Sequence, residues 1–510
     1  MNSLKNSSRH FSHGFLLTII IAMGLLLRLC YLGEMQDNPL PLFMAASPSF
    51  DAHNFIMLAK DILAHPWVGS YPTGYSSAYS YFVALAFYFF GHSLNSVFVI
   101  QIMLGTTLIY LIFCTTRDLF DNKEIGLIAS LITALYGPFL FYECNVLRES
   151  IITFCNLLSF FLLLKALKLN KSFYFLLAGM TAGLTLALRP GFLAFFLIVY
   201  IFFAFKASIR LKALSVALFV LGVMIVVSPF WLRNNAVGAR MIVERPGPTI
   251  FWIGNTYDAD GMGFYATQTE ERLASITKGK VGKTIEVLWN QIKLHPQEYK
   301  NLYLRKFQML FNGYEVPSTD SYDLAQENSA ILKVSFFDFC LIAPLALMGL
   351  ILMFRKPHAG LLYLFVFALN LLLFVFYVQS RHRIPIIPFY IMAASYTIYW
   401  CFLSFQRHEY RALAIALAGL VFLALFTKPN DKIINQIFRA RIRSIDFSNM
   451  ALAYRYVYET KQSDLSKTQK QELLSKAIQF RQKSFVSSPP EYLPFYYSDL
   501  DKLHVMLGKL

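Results

Sequence analysis

Long apolar runs separated by short basic clusters dominate the chain. In water such runs would have to be buried on every side, whereas in a bilayer a run of about 20 residues becomes a spanning helix that satisfies its own backbone. Eleven segments have this character: 14–33, 94–116, 124–142, 147–167, 172–188, 191–205, 211–232, 334–354, 359–377, 384–403 and 411–427. The pair flanking Arg189-Pro190 is short. Composition agrees, with 56% apolar and 15% charged residues against roughly 45–50% and about 25% in soluble domains. The sequence therefore predicts an all-α polytopic membrane protein with about 11 transmembrane helices.

The charge distribution orients these spans. Lys plus Arg at 46 against Asp plus Glu at 30 leaves a net charge of +16. The basic residues lie between apolar runs and form no stripe on a soluble face, so nucleic acid is not an expected partner. A further segment, 77–91, is short, rich in Ser and Tyr, and bounded by Pro72, Gly74 and Gly91. If it lies along the interface, Lys5, Arg9, Arg117, Lys123, Lys165, Lys168, Lys171, Lys206, Arg210, Lys212, Arg355, Lys356, Arg407 and Arg411 share one side. That side is the cytoplasm by the positive-inside rule; were 77–91 to span, the bias would reverse. An interfacial helix is thus expected, with the N-terminus cytoplasmic. Residues 14–33 read as a retained first span, because Arg28 interrupts the run and no small-x-small cleavage site follows.

With this parity the chain divides into a membrane domain, 1–427, and a soluble helical extension, 428–510. Within the first, 34–93 forms an outer loop with interfacial amphipathic helices, and 233–333 a large extracytoplasmic loop subdomain. The tail carries Arg439, Arg441 and Arg443, which favour the cytoplasm, but the rule weakens for segments longer than about 60 residues. The six cysteines are scattered without CxxC spacing, so neither a disulfide framework nor a structural metal is expected. There is no 20–50-residue repeat, P-loop or GxGxxG, which argues against an ATP-driven pump.

The outer face carries the candidate chemistry. In FDAHNFIMLAKDIL, apolar residues recur at helical spacing from Phe55 to Leu63, so a surface helix is expected with Asp51 at its start. Asp is a preferred N-cap, and capping leaves a lone pair facing outward, so Asp51 has both a structural and a chemical reading. YPTGY follows, where Pro72 and Gly74 impose a turn beside Tyr75. The next outer junction, FYECNVLRES, presents Glu143, Arg148 and Glu149. A first-turn carboxylate such as Glu149 also suits the helix dipole, and Arg148 has a snorkelling reading.

Arg189, Arg233, Arg381, His382 and Arg383 run against the topological bias, standing at three outer junctions in LALRPG, PFWLRNN and QSRHRIP. A guanidinium fork matches phosphate oxygens, and basic pockets between helices hold lipid head groups. A carboxylate and arginines at one depth fit a lipid-phosphate-linked sugar: the arginines stabilise the leaving phosphate while the carboxylate takes the proton of an attacking hydroxyl. Two other classes are compatible with many spans. Polymerases or ligases of surface polysaccharide use lipid-linked glycans too, whereas a flippase or secondary transporter would place its charges near mid-membrane on broken helices.

The ordered segments FDAHNFIMLAKDIL, YPTGYSSAYSYFVALAFYFFGHS, LALRPGFLAF, SPFWLRNNAVGARMIVERPGPTIFWIGNTYDADGMGFY and SRHRIPIIPFYIMAA resemble the C-type glycosyltransferases of family 39. These are similar to bacterial lipid A aminoarabinose transferases and protein O-mannosyltransferases. The likeness runs from residue 14 to about residue 400. It implies a polyprenyl-phosphate sugar as donor, a glycan, lipid or protein as acceptor, and a site on the periplasmic face of the cell inner membrane. It places Asp51 on the family's catalytic acidic residue, Glu149, the second expected catalytic residue, on the acidic position opening the fourth span, and Arg381 and Arg383 in its basic cluster. Arg189 and Arg233 join them as expected donor-phosphate ligands; His53, Tyr75, Glu143 and His382 are expected substrate contacts. Many relatives follow the first carboxylate with a second, where this chain has Ala52 and His53. Inverting displacement without a bound divalent metal or other tightly held cofactor is therefore expected.

Overall fold

The computed structural model describes residues 2–72, 76–192, 196, 209–239, 247–263, 275–277, 280–318, 321–335, 337–429, 436–485, 488 and 492–510. Its regular elements among these residues are helices, with one isolated bridge between Tyr136 and Phe337. Six helical stretches are long and apolar enough to cross a membrane: His13–Met35, Leu94–Phe120, Glu149–Leu169, Ala213–Ala236, Ser380–Gln406 and Tyr410–Thr427. Ser77–Phe90, Phe173–Leu188, Phe339–Leu352 and Ala359–Val375 are shorter apolar helices. The expected span 191–205 lies largely outside the described residues.

In chain order, α1 is Asn2–Met35, α2 Leu40–Ala46, α3 Asp51–Ala64, α4 Ser77–Phe90 and α5 Leu94–Phe120. Then come α6 Lys123–Leu135, α7 Gly137–Glu143, α8 Glu149–Leu169, α9 Phe173–Leu188 and α10 Ile209–Ala236. The helix α4 has 14 residues, about 21 Å at 1.5 Å per residue, short of a hydrocarbon core of about 30 Å. It packs on α3 and α5, with Tyr79, Val83 and Ala84 fully buried.

Two expected spans are corrected. The run 124–142 is two helices, because the chain leaves helical geometry at Tyr136 and Pro138 opens α7, where its missing N–H costs nothing. The run 334–354 starts late: Asp338 caps the helix by accepting from the Leu341 amide at 3.0 Å, so α16, Phe339–Leu352, begins beyond the bridge at Phe337.

Small residues set the closest helix approach. On α9, Gly179 lies against the Phe219 carbonyl of α10, and Gly222 of α10 lies against the Leu176 carbonyl. A Cβ at either position would meet backbone, the reason small residues line membrane helix interfaces. A charge pair fixes α1 to α7: Arg28 Nε stands 2.7 Å from Glu143 Oε2, both side chains being almost wholly buried. Gln101 of α5 donates to the Glu143 and Asn145 carbonyls at 2.9 and 2.8 Å, and Tyr79 of α4 donates to Gln101 at 2.9 Å.

The loop and tail helices cover one end of the bundle. These are α11 Gly247–Asn255, α12 Val281–Leu294, α13 Pro296–Phe311, α14 Tyr322–Asn328 and α15 Ala330–Val334. After α16 follow α17 Ala359–Val375, α18 Ser380–Arg383, α19 Ile387–Gln406 and α20 Tyr410–Thr427, then the tail helices α21 Gln436–Thr460, α22 Lys467–Phe485 and α23 Leu493–Gly508. Arg481, fully buried, joins the tail helices by donating to Asp499 and Ser448, each at 2.7 Å. The tail stands on the face of the first outer loop: Tyr456 packs on Phe43 of α2, and Arg443 pairs with Glu327 of α14.

One buried lysine amine docks the large loop on the end of α17. Lys306 of α13 donates to Asn255 Oδ1 at 2.9 Å and to the Phe374 and Phe376 carbonyls at 3.3 and 2.8 Å. Asn255 Nδ2 adds a bond to the Val375 carbonyl at 2.8 Å. Burial pushes the Lys306 amine down to about 7, with the Asp260 charge pulling the other way.

Two outcomes test these anchors. Arg28→Met leaves Glu143 buried without its partner, and is expected to cost about 3–5 kcal/mol in unfolding measurements. Arg28→Met/Glu143→Leu should recover most of that loss, and a double variant no better than the single refutes the pairing. For Lys306, the unfolded amine keeps its ordinary value of 10.5, so between about pH 7 and 10.5 the unfolded state binds the extra proton and stability rises with pH. The thermal midpoint of wild type relative to Lys306→Met should therefore climb across that window. A gap that shrinks would show the opposite shift.

Candidate active site

The helix α3 brings Asp51 to the site, though not as its cap. Phe50 is the N-cap, in extended geometry with no side-chain cap bond, and Asp51 is the first helical residue. Its carboxylate turns instead to Arg381, whose Nη1 donates to Oδ2 at 2.8 Å. The two side chains keep 20% and 13% of their surface exposed, so the pair sits at the edge of solvent.

The one-turn helix α18 is held by neighbours on all sides. The Val378 amide donates to the Gly261 carbonyl at 2.9 Å, Gln379 to the Met262 carbonyl at 2.8 Å, and the Ser380 amide to the Val316 carbonyl at 2.9 Å. GNTYDADGMG of the large loop thus braces the turn that presents Arg381. Arg381 Nε donates to His382 Nε2 at 3.2 Å, a geometry that requires an unprotonated Nε2 there. The Tyr377 ring stands 5.2 Å from the His382 ring.

A second pair lies within electrostatic reach. Glu149, the first residue of α8, is buried and accepts a hydrogen bond from Arg189, at the end of α9. Arg381 interacts electrostatically with Glu149 as well as with Asp51, and Arg189 with Arg148 and Arg381. Arg148 donates to the Leu188 carbonyl at 3.0 Å and lies over the Phe55 ring of α3. Three guanidinium groups therefore share this region with two carboxylates, an excess suited to an anionic ligand.

Other expected site residues are placed elsewhere. Arg383 is buried against Glu315 at 2.9 Å, donates to the Asn312 and Tyr314 carbonyls, and lies over the Phe339 ring at 3.7 Å. Arg233 donates to the Val68 and Tyr71 carbonyls at 2.7 and 3.1 Å, stapling the stretch that follows α3 to α10. Glu143 is committed to Arg28. All three engage protein partners in this structure, as desolvated charges do. His53 directs Nδ1 to the Ala45 carbonyl at 3.0 Å, fixing α3 to α2. Tyr75 lies outside the described residues.

Arg148 and Tyr377 were not singled out as site residues from the sequence. Arg148 had the same signal as Arg189, a basic residue at an outer junction, but its snorkelling reading concealed it. Among the described residues no group of three or more His, Cys, Asp or Glu gathers that could hold a metal ion. Asp51 faces a guanidinium where a two-carboxylate metal site would need another acid.

Residues 76–232 match the family model described as dolichyl-phosphate-mannose-protein mannosyltransferase. No curated protein matches the chain significantly. Among solved structures, the chain has a likeness to the archaeal oligosaccharyltransferase AglB from Archaeoglobus fulgidus, in complex with an inhibitory peptide and a dolichol-phosphate. It is 13% identical, the match covers 88% of this chain and 60% of that one, and the TM-score is 0.45. The chain thus spans about 60% of the length of that enzyme. The likeness to family 39 glycosyltransferases stands on the matched stretch 76–232, which carries Glu149, Arg189 and Arg233 but neither Asp51 nor Arg381.

Proposed function

We propose that the protein is a membrane glycosyltransferase that moves a sugar from a polyprenyl-phosphate carrier to an acceptor on the face of the first outer loop. The observation that carries this reading is the Asp51–Arg381 pair beside Arg189 and Arg148. The family match over 76–232 supports it.

The chemistry follows from the charges. A sugar linked through one phosphate carries a single negative charge, and breaking the bond at the anomeric carbon leaves a second on the departing phosphate. Arg381, Arg189 and Arg148 are set to stabilise that added charge, which grows only in the transition state. When the donor phosphate attracts Arg381, Asp51 is released from its ion pair to accept a proton. The acceptor hydroxyl oxygen then bonds to the anomeric carbon as its proton passes to Asp51 and the carbon–phosphate oxygen bond breaks, with its electron pair staying on phosphate. Attack opposite the leaving group inverts the anomeric centre. Glu149 holds Arg189 in place and tempers the positive field.

Asp51→Asn should lower transfer from a labelled polyprenyl-phosphate sugar in detergent by about 10²–10⁴-fold, the usual worth of a general base, with the thermal midpoint retained. A fully active variant removes Asp51 from the mechanism. A carrier would need two compartments, so transfer in detergent also separates the enzyme from a flippase. Arg381→Ala should raise the donor KM while leaving the acceptor KM unchanged. Equal losses for both substrates would make Arg381 structural alone. Chelator treatment should leave transfer intact, and restoration of a lost rate by Mn²⁺ or Mg²⁺ would overturn the metal-independent mechanism.

A further inference from the structure

The tail helices close a cavity that the phosphate chemistry leaves unused. It encloses about 220 Å³ between the end of α1, α2, α14 and the tail helices α21 and α22. Asp37, Met44, Asn145, Asn328, Tyr454 and Phe480 are among its walls, and neither Lys nor Arg lines it. A second, smaller cavity shares Pro41, Met44 and Asn145 with the first and reaches Ala52, the neighbour of Asp51. The helix α2 thus forms a wall of the larger space and is tied by His53 to the helix that carries Asp51.

Asn145 is the unexplained group. The side chain is 5% exposed, and its Nδ2 donates to the Phe141 carbonyl at 3.0 Å. Its Oδ1 has no hydrogen-bond partner among the described residues, although Asn145 lines both cavities. An amide oxygen that no protein donor occupies and that belongs to a cavity-lining side chain can accept a hydrogen bond from a ligand hydroxyl. Asn328 similarly commits Nδ2 to the Leu324 carbonyl at 2.7 Å. Across the cavity, the Tyr454 and Phe480 rings lie nearly parallel, with centroids 5.7 Å apart and planes at 14°.

Aromatic faces beside amide and carboxylate acceptors, without a basic residue, describe a site for an uncharged ring bearing several hydroxyls. Such a ligand offers C–H faces to aromatic surface and O–H donors to Asn145, Asn328 and Asp37. An anionic head group would meet carboxylate charge instead. The geometry points to this cavity as the acceptor site, taking a neutral saccharide whose next hydroxyl is presented toward Asp51. This inference rests on the glycosyltransferase reading and names the acceptor class of that same site.

The test uses the full chain in lipid nanodiscs, whose components carry no sugar. Saturation-transfer NMR is read with methyl α-mannopyranoside, methyl β-glucopyranoside and N-acetylglucosamine, beside a Ser/Thr-containing peptide and glycerol phosphate. Signal from the ring protons of at least one saccharide is expected in wild type and in Asp51→Asn. Asn145→Ala and Tyr454→Ala should weaken that binding about tenfold, the worth of one lost hydrogen bond or ring contact. Tyr454 is half-buried, so Tyr454→Ala decides the matter if Asn145→Ala does not fold. Signal from the peptide or the phosphate ester alone, from no probe, or from saccharides bound equally well by folded variants overturns the assignment. Full transfer by Asp51→Asn with saccharide binding intact would instead overturn the catalytic reading, so the two failures are distinguishable.

Discussion

A charge taken out of water must find its counter-charge within the protein, and this requirement organises the molecule. Four arginines meet four carboxylates across the bundle: Arg28 with Glu143, Arg189 with Glu149, Arg381 with Asp51, and Arg383 with Glu315. Buried pairs of this kind contribute little net stability over an apolar pair, yet breaking one is costly, so they select one arrangement of helices. Two of the four pairs, Arg28–Glu143 and Arg383–Glu315, are closed off from water, and Glu149 is buried beside a partly exposed Arg189. The Asp51–Arg381 pair alone among these keeps appreciable exposure on both partners, which is where a ligand can compete for it.

The helices themselves were largely legible, because the need for about 20 apolar residues writes spans directly into hydropathy. What hydropathy misses is local backbone chemistry. Pro138 divides the run 124–142, and the Asp338 cap shortens 334–354. The arginines expected on the outer face were legible as a class, since each breaks the topological bias, but their partners were not. Arg381 and Arg383 illustrate why: residues two apart on a helical turn do not share a face, so α18 sends one to Asp51 and the other to Glu315. Sequence proximity had joined what geometry separates. Asp51 was found through the surface helix it opens, although the cap expected there is absent and Arg381 takes the carboxylate.

The large loop and tail carried no readable motif, and their contribution is positional. Lys306 fixes the large loop to the end of α17, and the backbone of Gly261 and Met262 supports the turn that holds Arg381. The tail, whose arginines pulled the sequence reading toward the cytoplasm, lies against α2 and α14. Those arginines are spent within the tail and on its neighbours, Arg443 on Glu327 and Arg441 against the Tyr492 ring. Local pairing removes the reason for a side preference that free charges would have had.

The two partners at the centre are 330 residues apart in the chain. During synthesis the acidic half emerges with the first loop, long before the ribosome reaches its cationic mate. A nascent polypeptide accordingly lacks this ion pair until nearly every hydrophobic segment has been made, so the contact between the surface helix and the turn after α17 is among the last to form.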